Sequence, residues 1–199
     1  YTTDDAMEAA NQFVAIDYNT WQKIEEDVEL QFTDAGHIIG SAAVHLRVQE
    51  NGNTKKITFS GDVGRYRDII LKSPQTFEQS DVIIIESTYG NSLHDFHLAA
   101  PDLLLEWIEK TCITKKGKLI IPAFSVGRTQ EILFALNQLE LERRLPKLDY
   151  FVDSPLSIKA TEIVKKYPKY FNQFIQKVLE SDADPFAFEG LHYVQSRED

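Results

Sequence analysis

The run Asp81-Val82-Ile83-Ile84-Ile85-Glu86 constrains this chain more than any other stretch. Consecutive aliphatic residues without polar alternation are what a strand needs when both of its faces are covered. Ser87-Thr88-Tyr89-Gly90 then ends it in a polar loop. Such a strand belongs at the centre of an α/β sheet, and the following sequence supplies the partners it requires. Helical patterns near 98–113, 127–142, 155–167 and 169–180 alternate with strand patterns at 118–122 and 150–152, so the fold class is α/β.

The first part of the chain reads differently. Thr3, Asp4 and Asp5 open a short capped helix, with acids at the positive end of its dipole. Val44, Leu46 and Val48 alternate with His45, Arg47 and Gln49, and Asn51-Gly52 supplies a hairpin turn. Strands are expected at 28–34, 43–49 and 55–60, with His45 on the solvated face.

A chain of 199 residues with 43% hydrophobic and 11% aromatic residues can bury a core. Its net charge of -10, from 21 basic and 31 acidic residues, lacks the basic footprint of a tight nucleic-acid binder. Any contact with nucleic acid must therefore be local. Cys112 stands alone, so no internal disulfide is available, and it reads as a buried or half-buried thiol near a helix end. No apolar run reaches the roughly 18 residues that span a bilayer, and no secretory signal follows Tyr1. A cytoplasmic location is expected, and the missing initiator Met suggests a segment of something longer.

Two glycine-flanked loops carry the chemistry. Asp34-Ala35-Gly36-His37-Ile38-Ile39-Gly40-Ser41 places a histidine after a strand, where small neighbours let a ligand approach. Ser60-Gly61-Asp62-Val63-Gly64 repeats the design with a carboxylate. Both side chains could converge at one edge of the sheet, and imidazole with carboxylate suits zinc or another divalent transition metal. Two donors are fewer than the three protein ligands usual at a catalytic zinc.

Glu86 could cap the loop after its strand by accepting backbone N–H bonds. In Pro122–Glu131 a strand gives way to a helix whose free N–H groups, with Ser125 and Arg128, could hold a phosphate; the equal alternative is that Gly127 allows the turn and Arg128 pairs with an acid. Ser154 followed by Pro155 reads as a helix cap. His94 and His97 read as surface residues, because nothing around them supplies further ligands.

Together Asp34–Ser41, Ser60–Gly64, Glu86–Gly90 and Ile121–Glu131, in that order, resemble the metallo-β-lactamase superfamily and its β-CASP branch of nucleic-acid-processing hydrolases. The resemblance implies part of an αββα sandwich over residues 1–120 and part of an inserted β-CASP domain over 121–199. It implies that His37 is the histidine of the third metal motif, that Asp62 bridges two zinc ions, and that Glu86 supports proton transfer. No His-x-His-x-Asp-His occurs in the chain, so a complete dinuclear centre is not expected from it alone.

The activity so implied is that of a zinc-dependent ribonuclease hydrolysing RNA phosphodiesters, with this segment inactive by itself and single-stranded RNA the partner. A homodimer could cover an exposed sheet edge. Two other readings stay open: a non-catalytic RNA-binding or interaction module, and a hydrolase of small esters or thioesters.

Overall fold

The computed structural model describes residues 1–93 and 100–195. Contacts divide the chain into two compact units, each assembled from separate stretches of sequence. The first contains Tyr1–Ala35, Gly40–Val63 and Pro74–Glu86. The second contains Gly36–Ile39, Gly64–Ser73 and the chain from Ser87 onward.

In the first unit, helix α1 (Thr3–Asn11) is capped by Thr2, one residue earlier than the sequence suggests; Thr2 Oγ1 accepts from Asp5 N–H at 3.2 Å and Asp5 returns the bond to Thr2 N–H at 2.7 Å. The sheet follows as β1 (Gln22–Glu25), β2 (Val28–Asp34), β3 (Ala42–Glu50), β4 (Asn53–Phe59) and β5 (Val82–Ile84), in that spatial order. The first four pair antiparallel, and β5 joins β4 in parallel. Between β3 and β4 the turn residues Asn51 and Gly52 both have positive φ, at 50° and 76°, the requirement of a tight two-residue hairpin.

Two expectations fail here. The aliphatic strand is the edge of the described sheet and not its centre, so Ile83 and Ile85 are 51% and 65% exposed. Aliphatic content marks β5 as a strand but does not fix which neighbours cover it. The period-two reading of β3 is correct, but its polar face is the more buried one: His45 is 5% exposed. Its Nε2 and Nδ1 lie 2.8 and 2.9 Å from the hydroxyls of Thr33 and Thr58, and the Phe77 ring meets it edge-on. Hydroxyl partners on the flanking strands let an imidazole be buried without an unmet hydrogen bond.

Helices dominate the second unit. Helix α2 (Ala100–Ile108) runs on into a π-helical stretch, Glu109–Thr114, that holds a half-buried Cys112. Then come α3 (Arg128–Leu141), β6 (Tyr150–Val152), α4 (Pro155–Lys165), a 3-10 turn at Pro168–Tyr170, α5 (Gln173–Val178) and β7 (Leu191–Tyr193), which pairs parallel with β6. Phe134, Phe171, Ile175 and Phe186 form the heart of its core with Leu133, Leu136 and Ile70. At 118–122, where a strand is expected, no strand forms among the described residues, and Ile120 is 85% exposed. His94 and His97 lie outside the described residues.

The stretches Gly36–Ile39 and Gly64–Ser73 are tied into this unit by close packing. A Cβ on Gly64 would sit 1.8 Å from the carbonyl oxygen of Gly36, so only glycine admits this approach. Farther along, Leu71 bridges Phe171, and Asn172 Nδ2 donates to the carbonyls of Asp68 and Ile69 at 2.8 and 3.0 Å.

Candidate functional site

In the first unit the chain leaves β4 through Ser60, whose N–H donates to Ile84 O at 2.9 Å across to β5. Ser60 is buried, and its hydroxyl donates to Gly61 O and accepts from Glu86 N–H. Gly61 takes a φ of 58° with Ala42 O only 3.0 Å from where a Cβ would stand. From β5 the half-buried Glu86 reaches back, and its Oε1 accepts from the N–H of Val63 at 2.6 Å. That N–H belongs to the peptide directly after Asp62, so Glu86 fixes the loop on which the exposed Asp62 carboxylate stands.

His37, Ser125 and Arg128 belong to the second unit. The exposed His37 lines a cleft of about 30 Å³ with Ile39, Asp68, Gly127, Gln130 and Glu131. Gly127, at φ 85°, turns the chain into α3, and its N–H donates to Gln130 Oε1 at 2.7 Å. Ser125 is held through its carbonyl, which accepts from Gln130 Nε2 at 3.1 Å, and its hydroxyl lies 3.4 Å from that of Ser154. Ser154 caps α4 by accepting from Ser157 N–H.

Arg128 pairs with an acid: its Nη1 donates to Glu131 Oε2 at 2.6 Å. The other oxygen of Glu131 takes Arg65 Nη2 at 3.2 Å. Burial pushes the Glu131 carboxyl up, the two guanidiniums pull it back, and neighbouring Asp68 raises it again. Neither Arg65 nor Glu131 was among the candidates drawn from the sequence. The interleaved Arg65-Tyr66-Arg67 directly after Gly64 was the available signal.

Among the described residues, no three His, Cys, Asp or Glu side chains form a group that could hold a metal ion. His37 and Asp62 offer donor types that suit zinc, but two donors do not meet its usual coordination. The donors present therefore do not by themselves fit a complete centre.

A β-CASP domain model matches residues 129–199. The chain is 34% identical over 190 residues, 94% of its length, to an RNase J-like protein of Methanocaldococcus jannaschii, and covers 44% of that protein. A ribonuclease of Thermus thermophilus is 30% identical over 98% of the chain and 43% of the relative. An endoribonuclease of Kluyveromyces lactis is 28% identical over 98% of the chain and 26% of the relative. The chain thus spans less than half the length of these curated relatives. No described helix is long and apolar enough to cross a membrane. The α/β architecture, the matched domain and these relatives put the chain in the β-CASP branch of the metallo-β-lactamase superfamily, a metal-dependent family of RNA-processing proteins.

Proposed function

We propose that this chain is the part of a zinc-dependent ribonuclease that contributes Asp62 and His37 to the metal centre and Glu86 to the support of that centre. Residues 1–120 would belong to the lactamase-like domain and 121–199 to the β-CASP domain. Single-stranded RNA is the proposed substrate, a cytoplasmic setting the proposed location, and a homodimer the proposed assembly. The observation that carries the reading is the Glu86 bond to Val63 N–H, in a chain that aligns over 94% of its length with an RNase J-like protein. A half-buried Glu86 that clamps the peptide after Asp62 restricts the motion of the Asp62 carboxylate, and restricted donors are what metal geometry requires.

Within the chain's own residues the division of labour is physical. Glu86 orients the Asp62 loop through the backbone, and Gly61 lets that loop pass close to Ala42. His37 lines the cleft of the second unit, as do Asp68 and Glu131. Zinc, where a full donor set binds it, would supply polarisation of the phosphate and a water acidic enough to attack at neutral pH.

The test is hydrolysis by the longest natural protein that contains this chain. It would be given a labelled single-stranded RNA, the matching DNA, and a small thioester, before and after chelation and zinc re-addition. RNA cleavage lost on chelation and restored by zinc is the expected outcome. Thioester hydrolysis without RNA cleavage would establish the small-ester alternative, and RNA binding without any hydrolysis the non-catalytic one.

A further inference from the structure

We propose that Arg65 and Arg128, gathered by Glu131, form a two-guanidinium clamp for an RNA phosphodiester, with Tyr66 beside it as a stacking face for a base. The proposal rests on the RNA reading above and names the surface of the second unit that would hold the strand.

Arg65 comes from the Gly64–Ser73 stretch and Arg128 from the first residue of α3, yet both end on one carboxylate, at 3.2 and 2.6 Å. Glu131 is only 13% exposed at its side chain, whereas the two arginines keep 56% and 52%. The anchor is therefore inside and the guanidiniums face outward. A guanidinium has five N–H donors in a rigid fork, and Glu131 uses one nitrogen of each. The remaining donors suit a phosphate placed between them, and the ion pairs hold both forks in place before it arrives. Asp68 also acts on Glu131 and adds a second negative charge beside the pair, against which a phosphate has to bind; its Oδ1 accepts from the N–H groups of Ile70 and Leu71, at 2.9 and 2.8 Å.

Tyr66 completes the surface. Its carbonyl accepts from the Ser73 hydroxyl, which fixes the backbone, while the side chain projects with 74% of the residue exposed. An exposed aromatic ring on the residue that follows an outward-facing arginine is a combination that single-stranded nucleic acids bind, by phosphate contact and base stacking. Within a chain of net charge -10 such contact has to be local.

The experiment is fluorescence anisotropy of a labelled twelve-nucleotide oligouridylate with the 199-residue chain, in chelator, across a salt series. Arg65→Gln and Arg128→Gln are each expected to weaken binding roughly tenfold and to lower the log–log salt slope by about 0.7. Tyr66→Ala is expected to weaken binding with the slope unchanged. Arg143→Gln, the same charge change on another exposed residue, is the control and is expected to leave both unchanged. Wild-type affinity and slope in Arg65→Gln and Arg128→Gln, or an equal loss in Arg143→Gln, overturns the clamp and leaves the RNA reading standing. Failure of the wild-type chain to bind RNA at any salt overturns the RNA reading and the clamp with it. Should Arg65→Gln melt early, Arg65→Lys replaces it: intermediate affinity with the wild-type slope supports the fork, and full affinity counts against it.

Discussion

Glu86 and His45 are two groups whose roles become visible only once neighbours are known. Glu86 accepts the Val63 N–H from a half-buried position, so Glu86→Ala leaves that donor without its acceptor and is expected to cost about 1–2 kcal/mol in chemical denaturation. Glu86→Gln keeps an acceptor oxygen and should recover most of the loss; an equal loss in both variants would mean that charge, not the bond, matters. His45 makes a pH-dependent contribution with a definite sign. Burial lowers its pKa below the ordinary 6.5 in the folded chain, so the folded state binds fewer protons than the unfolded one as pH falls. Its contribution is complete above pH 6.5 and is lost as pH drops toward the depressed folded value. Denaturation midpoints at pH 8 and pH 5 should therefore differ by less in His45→Gln than in the wild type.

At the scale of elements, the Gly64 approach to Gly36 O predicts a sharp contrast. Gly64→Ala should destabilise by about 2 kcal/mol or more, since a Cβ at 1.8 Å forces the backbone apart. Gly40→Ala meets open space and should cost only its positive-φ strain, about 1 kcal/mol; thermal melts of the two would decide. Much of this level was legible in the sequence. Strands β2 to β4, β6 and the starts of α3 and α4 follow from period, turn residues and caps, because these signals are local. The face of β3 was read wrongly because His45 is paid for by Thr33 and Thr58, which lie 12 and 13 positions away. That 118–122 has no sheet partner and β5 lies at the edge, among the described residues, is not legible in the sequence for a related reason, since strand partners are set by tertiary structure. Among site residues, His37 and Asp62 stood out by their glycine-flanked loops, whereas Glu131 looked like any helix acid until Arg65 and Arg128 were found on it.

At the scale of the whole molecule, the donors among the described residues group too sparsely to complete a zinc centre. Dialysed into metal-free buffer, the 199-residue chain should retain well under one zinc by elemental analysis, and one zinc per chain would show that its donors suffice. The central claim is that Asp62 is a metal-holding carboxylate of an RNA hydrolase, and one substitution addresses it directly. Cleavage of labelled single-stranded RNA should be measured for the longest natural protein containing this chain, as wild type and as Asp62→Asn, with melting temperatures matched. The account predicts a loss of at least about a hundredfold in rate without a change in melting. Cleavage by Asp62→Asn at the wild-type rate would contradict it.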